Sequence, residues 1–392
     1  FESNFAQNLI FHWFFDLTQM RIVRIWSKMS FIDRKFIMVT KLGFAIVLGR
    51  FLAVLALWAS LGGASLAQEA ELNLYSARHY ATDEALYADF TRATGIRINR
   101  VDADDAGILS RLKAEGSASP ADVILLVDAA RLWKGEVEGL FKPIHSKLLE
   151  KAIPEHLRAR SRAEGTSWFG FSTRARVIVY DKSRVKPEDV DSYEKLALPV
   201  NKNKLCVRSG SHPYNLSLFG AMVEHLGAPA TEVWLKDLVG NMARSPKGGD
   251  TDQIKAVGSG ECGIALANSY YVARLLRSGA QQDQALMQRV GVIFPNQASW
   301  GTHMNIAGGA VAQYAKHPAN AQKFLEYLAS PSAQAYFANG NNEWPVVKDV
   351  PINNPALQTL AGKNFKTDPL PVSFIGMNQI KVQQMLDRVG FR

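Results

Sequence analysis

Four of the eleven tyrosines follow predicted β-strands, at points where each strand gives way to a helix or a loop. They are Tyr80, Tyr214, Tyr270 and Tyr271. Ligands of open α/β sheets bind outside the carboxyl ends of the strands, so these positions are expected to converge on one cleft. Spacing alone also fits a simpler interpretation, in which each tyrosine is a core residue with a hydrogen-bonded hydroxyl.

The adjacent pair Tyr270-Tyr271 is harder to explain as core packing. Neighbouring residues on a helix do not share a face, so two such hydroxyls reach one small ligand only at a strand-to-helix turn. Asn268 and Ser269 are candidates for the N-cap of a helix that begins there. His79 and Tyr80 form a second adjacent pair in an equivalent setting, after a predicted strand at 72–75.

The chemistry of phenols indicates which ligand such a cleft would take. A phenol loses its proton with a pKa of about 10 in water, so only a highly charged centre displaces that proton readily at neutral pH. A hard trivalent cation such as Fe³⁺ meets this need, whereas Zn²⁺ would draw on Cys and His. The sequence contains no EF-hand spacing, His-Glu-x-x-His motif or Gly-rich phosphate loop.

Alternating strands and amphipathic helices would position these residues. A first set has strands at 72–75, 96–101 and 122–128, and a helix that begins at 82–84 and ends at Gly95. A second set has strands at 175–180, 204–208 and 263–267, and a helix over about 216–226. Continuous apolar strands predict parallel sheets covered on both faces, and hence two α/β domains.

Two extended segments, at 168–173 and near 292–296, are expected to cross between these domains. Helical stretches are predicted after the second crossing, at 311–314 and 321–328. The chain would thus visit one domain, cross to the other and return.

Length and composition fit this picture. The 392 residues, 47% apolar and 21% charged, describe a globular chain of about two domains, at roughly 100–200 residues each. The net charge of +9 is spread along the chain without a Lys/Arg run longer than two, which argues against a nucleic-acid partner.

The residues that precede this body indicate export. Lys41 and Arg50 are followed by an apolar run at 51–61, and Ser65 and Ala67 supply small side chains for cleavage near 67/68. Residues 1–67 are therefore interpreted as an upstream segment plus an export signal. The alternative is an uncleaved membrane anchor, since 43–61 is apolar apart from Arg50.

Four segments resemble the periplasmic ferric-iron-binding proteins of bacterial ABC transporters. They are Leu74-Tyr-Ser-Ala-Arg-His-Tyr80, the run 121–133, Leu205-Cys-Val-Arg-Ser-Gly-Ser-His-Pro-Tyr-Asn215 and Ile264-Ala-Leu-Ala-Asn-Ser-Tyr-Tyr271. The His-Tyr, single Tyr and Tyr-Tyr combination is similar to the subgroup that binds iron without an obligatory external anion.

The resemblance implies a two-lobed, type II periplasmic-binding-protein (Venus-flytrap) fold of class α/β, with two extended hinge crossings. Residues 68–172 with 297–345 would form the N-terminal lobe, and 173–296 with 346–392 the C-terminal lobe. Carried over by position, the metal ligands from the first lobe are His79 and Tyr80, and those from the second are Tyr214, Tyr270 and Tyr271. Ligands on both lobes would make closure depend on the metal.

Three arginines are candidates for cations behind the ligands: Arg78, Arg208 and Arg274. Each is equally well explained as a solvated or structural arginine. Arg274 is the best placed, because on a helix that begins near Tyr270 it lies at i+4 from Tyr270 and i+3 from Tyr271. His212, two residues before Tyr214, is interpreted as a loop residue.

Cys206 and Cys262 each lie eight residues before a candidate tyrosine. This parallel placement is expected to put both sulfurs at similar heights on strands of one lobe. A disulfide fits an oxidising compartment, and two buried thiols are the alternative.

The sequence thus predicts a monomeric, non-enzymatic receptor in the periplasm that carries Fe³⁺ to an inner-membrane ABC permease and its ATPase. A related binding protein for a small organic solute or anion, with the arginines as its main contacts, is the nearest alternative. A periplasmic enzyme with an iron-tyrosinate centre is a third, but five protein ligands would leave little room for a substrate.

Overall fold

The computed structural model describes residues 70–78, 80–361 and 365–392. The predicted ligand His79 and the predicted export signal lie outside this part of the chain. None of the helices in the described ranges combines the length and the apolar character needed to cross a membrane.

The strands of the described residues belong to one mixed sheet. In chain order they are β1 (Glu71–Ser76), β2 (Arg97–Asp102), β3 (Val123–Leu126), β4 (Phe141–Lys142), β5 (Phe169–Asp181), β6 (Leu205–Cys206), β7 (Ile264–Asn268), β8 (Val290–Ile293), β9 (Met304–Ala312) and β10 (Trp344–Pro345). The predicted strands of both sets are present, although the one expected at 204–208 is only two residues long.

Helices connect most of these strands. The first seven are α1 (Asp83–Thr94), α2 (Asp105–Glu115), α3 (Ala129–Val137), α4 (Lys147–Ala152), α5 (Pro213–Leu226), α6 (Ala228–Gly240) and α7 (Asp250–Ser259). They continue with α8 (Ser269–Leu276), α9 (Gln281–Arg289), α10 (Pro318–Leu328), α11 (Pro331–Asn339), α12 (Pro355–Ala361), α13 (Ser373–Met377) and α14 (Gln379–Val389). Helix α1 ends at Gly95 as predicted, because this glycine adopts the left-handed conformation (φ 71°).

The strand order β2-β1-β3-β9-β5-β7-β6 corrects the expectation of parallel sheets. β1 pairs in parallel with β2 and β3, and β6 with β7, as βαβ units require. β9 is antiparallel to both β3 and β5, and β5 is antiparallel to β7. Because the chain returns through these long strands rather than through helical crossovers, the sheet is mixed.

Strand β5 links the two predicted sets of elements. Its first half, through Ala175, pairs with β9, and its second half, from Arg176, pairs with β7 and β8. The segment predicted as an extended crossing at 168–173 and the strand predicted at 175–180 are therefore one continuous strand of 13 residues.

The helix predicted at 311–314 is wrong, because Val311 and Ala312 belong to β9. Val311 pairs with Val123 of β3, and the whole strand is buried. A short apolar run does not distinguish a strand from a buried helix, so the tertiary pairing decides the conformation. The helix predicted at 321–328 is present as part of α10.

Three large clusters of buried apolar residues lie against this sheet. The first core cluster, around β1, β3 and the start of β5, includes Leu74, Phe90, Ile124, Phe169 and Phe324. The second, on one side of the later half of β5, includes Ile178, Phe219, Leu235, Ile264 and Leu386. The third includes Val177, Cys206, Val257, Ala265 and Val272. β5 contributes residues to all three clusters, so it is part of every one of these cores.

The structure joins Cys206 and Cys262 in a disulfide, as the parallel placement of the two residues predicts. Both half-cystines are fully buried in the third core cluster. The bond connects the end of β6 to the turn that precedes β7. The chain continues from β6 toward Tyr214 and from β7 toward Tyr270.

Replacing both cysteines (Cys206→Ser with Cys262→Ser) is expected to lower the free energy of unfolding by about 4 kcal/mol, from the chain entropy of a loop closed over 56 residues. Denaturant unfolding of the wild type and of the double variant measures this difference. As a control, thiol titration of the unfolded, unreduced wild type should find no reactive thiol from these two residues; two reactive thiols would contradict the assignment.

Candidate functional site

The four tyrosines singled out by sequence lie together in the structure. The hydroxyl oxygens of Tyr214 and Tyr270 are 3.1 Å apart. The ring of Tyr80 meets that of Tyr270 edge to face at 6.0 Å between centroids, and the rings of Tyr270 and Tyr271 lie 4.2 Å apart. We call Tyr80, Tyr214, Tyr270 and Tyr271 the tyrosine cluster.

Each member of the tyrosine cluster sits where the chain leaves a strand. Tyr80 lies between β1 and α1, Tyr214 is the second residue of α5, and Tyr270 and Tyr271 are the second and third residues of α8. Two of the four side chains, Tyr214 and Tyr270, are buried, at 7% and 1% exposure, and the other two are half-buried. The structure therefore places three of the four hydroxyl-bearing residues at the start of a helix.

His212 has a local structural role in this arrangement. It occupies the N-cap position of α5, where its Nδ1 accepts a hydrogen bond from the backbone N–H of Tyr214 at 3.2 Å. Its ring also packs edge to face on the ring of Tyr214 at 4.6 Å. The interpretation of His212 as a loop residue is thus refined: it fixes the turn on which Tyr214 sits.

The predicted cap of α8 differs in detail. Asn268 occupies the N-cap position, but its side chain makes no capping bond. Its Oδ1 instead accepts from Arg176 at 3.1 Å, and the hydroxyl of Ser269 accepts from the backbone N–H of Ala175 at 3.2 Å. Both polar side chains therefore attach the start of α8 to β5 rather than capping the helix.

Glu343 lies next to Tyr80 and was not foreseen from the sequence. The Tyr80 hydroxyl donates to Glu343 Oε1 at 3.1 Å, and Ser172 of β5 donates to Glu343 Oε2 at 2.7 Å. The carboxylate is 1% exposed and has two guanidiniums nearby, those of Arg174 at 3.5 Å and Arg78 at 3.6 Å. Two cations beside one carboxylate keep this buried acid compensated.

The three arginines proposed from sequence each lie over a tyrosine ring. The guanidinium carbon of Arg78 is 5.0 Å from the centre of the Tyr80 ring, and that of Arg208 is 5.1 Å from the Tyr214 ring. Arg274 is 5.9 Å from the Tyr270 ring and 5.3 Å from the Tyr271 ring. Cation–π attraction holds such pairs, and a ring that becomes a phenolate attracts the cation further.

Two further arginines, Arg174 and Arg176 on β5, were missed by sequence reasoning. Both are almost fully buried, at 1% and 2% exposure, and their guanidinium carbons lie 5.9 and 6.0 Å from the Tyr214 ring. Two charges at alternate positions of a mostly apolar strand are the signal that could have identified them. Arginines seldom become fully buried unless they are paired, so their presence here marks a polar centre behind the strand.

Burial changes the acidity of the phenols. Desolvation is the main cause that raises the pKa of Tyr80, Tyr214 and Tyr270 above the ordinary value, because it disfavours the charged form. Nearby groups add to the effect: Glu343 for Tyr80, Tyr271 for Tyr214, and Tyr214 for Tyr270. At neutral pH these three hydroxyls are therefore neutral phenols.

Within the described ranges, His, Cys, Asp and Glu form no group of three or more that could hold a metal ion. The group of oxygen donors that lies together at this site is therefore the set of tyrosine hydroxyls. A cleft of about 680 Å³ opens beside Tyr80, and its charged lining residues are Lys255, Arg274, Arg277 and Asp283. A hard cation bound by the tyrosine cluster would lie next to a cationic cleft.

Comparison with known proteins agrees with this fold and site. Residues 85–369 match the bacterial extracellular solute-binding protein family, and the chain belongs to that family. Its α/β fold is the fold of periplasmic ferric-binding proteins: it superposes on a Trichodesmium protein solved in complex with iron and citrate ligands, with a TM-score of 0.77, 47% identity and coverage of 82% of this chain and 100% of that one.

Two further relatives bear iron in their names. Iron uptake protein A1 of Synechocystis is 44% identical over 325 residues, which are 83% of this chain and 88% of that protein. The ferric binding protein from Campylobacter jejuni is 36% identical, with a TM-score of 0.76 and coverage of 82% of this chain and 100% of that chain.

Tyrosine ionisation in the metal-free protein tests the description of the cluster. In an alkaline titration followed by tyrosinate absorbance, Tyr270→Phe should remove amplitude only from the part that appears above the ordinary range near pH 10, because burial holds this phenol neutral. Amplitude lost within the ordinary range would contradict a desolvated Tyr270.

Proposed function

We propose that the protein captures ferric iron outside the cytoplasm through the tyrosine cluster and delivers it to an inner-membrane ABC permease and its ATPase. The observation that carries this proposal is the approach of the Tyr214 and Tyr270 hydroxyls to 3.1 Å, with the Tyr80 ring against Tyr270. The family is extracellular, and the relatives named above carry iron uptake or ferric binding in their names, which supports a periplasmic transport role rather than a catalytic one.

The ligands in this proposal are the phenolate oxygens of the tyrosine cluster together with His79. Coordination to Fe³⁺ replaces each phenolic proton, since a strong positive charge stabilises the phenolate. Four phenolates exceed the charge of Fe³⁺ by one negative charge. Of the guanidiniums over the rings, Arg78 and Arg208 already bind the carboxylates of Asp83 and Asp250. Arg274, over the rings of Tyr270 and Tyr271, is therefore the best placed to offset that excess.

The two-lobed arrangement proposed from sequence gives the metal a mechanical effect. The lobe boundaries stay those of the prediction, 68–172 with 297–345 and 173–296 with 346–392. Tyr80 follows β1, which packs in the first core cluster, whereas Tyr271 packs against the third. A metal bound by both would hold the lobes together, and a permease could then distinguish loaded from empty protein.

The C-terminal segment contacts both sides of this division. Val346, Val372 and Ile375 belong to the first core cluster, while Val382 and Leu386 of α14 belong to the second. The region from 346 to 392, which the proposal assigns to the C-terminal lobe, therefore packs in the first core cluster as well as in the second.

Colour is the most direct test of the proposal. Ferric citrate added to the purified protein should produce a visible phenolate-to-iron charge-transfer band, and Tyr271→Phe should abolish or strongly shift it. Tyr314→Phe is the matched control, because Tyr314 lies outside the cluster with 50% exposure, and it should leave the band unchanged. A receptor for an anion or organic solute would stay colourless, and wild-type affinity in both Tyr270→Phe and Tyr271→Phe would refute the ligand set.

Acid should release the iron. The pKa values of Tyr80, Tyr214 and Tyr270 are raised in the metal-free protein, so protons compete strongly for these oxygens and each step down in pH favours the neutral phenol over the metal. Iron affinity measured by competition with a chelator should fall from neutral to mildly acidic pH. A flat profile, after correction for the protonation of the chelator, would argue against phenolate ligation.

A further inference from the structure

Asp250, the first residue of α7, is the meeting point of three segments at the site. It is 1% exposed, and its Oδ2 accepts hydrogen bonds from Arg176 Nη1 at 2.6 Å and from the backbone N–H of Asn268 at 2.7 Å. Its Oδ1 accepts from Arg208 Nη1 at 3.2 Å. Neither the resemblance nor the chemistry of the ligands assigns this residue a role.

Two of these donors, Asn268 and Arg208, belong to segments that lead to a cluster tyrosine, and the third, Arg176, is on β5. Asn268 precedes Tyr270 by two residues at the end of β7, and Arg208 lies in the loop that leads from β6 to Tyr214. Arg176 also donates from Nη2 to Asn215 Oδ1 at 2.8 Å, and Asn215 directly follows Tyr214. One carboxylate thus ties the start of α5 and the start of α8 to strand β5.

Asp250, Arg176 and Arg208 together carry one net positive charge next to Tyr214. Two guanidiniums surround one carboxylate, so one positive charge is left over, and the guanidinium carbons of Arg208 and Arg176 face the Tyr214 ring at 5.1 and 6.0 Å. If Asp250 were absent, the buried Arg176 and the half-buried Arg208 would repel each other and no common acceptor would hold them in place.

We infer that Asp250 is a positioning residue for iron binding, which sets the mutual placement of Tyr214, Tyr270 and Tyr271 without touching the metal. This inference rests on the proposed function. Partners behind metal ligands typically change metal affinity by about 10–100-fold when they are removed, because they orient the ligands and tune their charge. A purely structural ion pair, in contrast, would change the stability of the fold and leave the bound iron unaltered.

The test compares Asp250→Asn with Asp252→Asn in the full chain, with ferric citrate as the iron source. Asp252 lies on the same helix, is exposed, and its carboxylate accepts a hydrogen bond from the backbone N–H of Gly249 at 2.7 Å. Its variant therefore makes the same change of charge and leaves the bonds of Asp250 to both arginines in place. Asp250→Asn should weaken iron binding by about 10–100-fold and lower the phenolate absorbance per bound iron. Asp252→Asn should change neither quantity.

The absorbance per bound iron separates positioning from stability, because partial unfolding lowers the amount of iron bound but not the colour of each bound ion. If Asp250→Asn does not fold, Arg208→Gln replaces it: the balanced pair of Arg176 and Asp250 remains, and the link to the Tyr214 loop is lost. Arg208→Gln is expected to act in the same direction.

Three outcomes have distinct meanings. A colourless wild type would refute the proposed function itself. The positioning role alone would be overturned if the wild type is coloured but the folded variant keeps either its iron affinity or its absorbance per bound iron. That variant is Asp250→Asn or, in its place, Arg208→Gln. The expected pattern, with Asp252→Asn like the wild type, supports it.

Discussion

The rest of this site depends on one electrostatic constraint: a trivalent cation held between protein groups needs nearly equal negative charge, yet that charge is costly to bury before the cation arrives. Phenols meet the constraint because they are neutral until a metal displaces their protons. Burial of Tyr214 and Tyr270 strengthens this behaviour by raising the pKa of both. A cleft of carboxylates with the same number of oxygens would carry its repulsion in the empty state as well.

The permanent charges of the site are arranged around that constraint. The buried carboxylates of Glu343 and Asp250 are each shared between two guanidiniums, and one of these, Arg78, also binds the buried Asp83 at 2.7 Å. Within this group four guanidiniums therefore face three carboxylates. A positive surplus beneath the rings repels a bare cation but stabilises the phenolates that form once it binds. In the proposed function, the empty protein would therefore fold around neutral phenols, and the loaded protein around compensated phenolates.

Sequence reasoning located the tyrosines because their placement follows a general rule of α/β sheets. All four follow strands, and carboxyl ends of parallel strands such as β1, β6 and β7 gather ligand-binding residues irrespective of detailed packing. The disulfide followed from a similar parallel with β6 and β7. In both cases the position of a residue relative to the end of its strand is enough to predict which other residues lie near it in the fold.

The partners of the tyrosines were beyond that reasoning. Glu343 and Asp250 reach the site from segments 263 and 36 residues away in sequence from Tyr80 and Tyr214, through contacts that only the mixed sheet creates. The prediction of a helix at 311–314 was wrong for the same reason, because the antiparallel pairing of Val311 with Val123 decides the conformation of that segment. Arg174 and Arg176 are visible in the sequence as two charges in a mostly apolar strand, but their burial depends on the whole fold.

The change of partners along β5 has a mechanical consequence. The strand runs unbroken through all three core clusters and exchanges β9 for β7 between Ala175 and Arg176. Rotation of one core cluster relative to another would therefore change the twist of this continuous strand. Arg174 lies just before that exchange, paired with β9, and Arg176 just after it, paired with β7. The two buried cations behind the tyrosines therefore stand at the point of the strand where such a twist would be taken up.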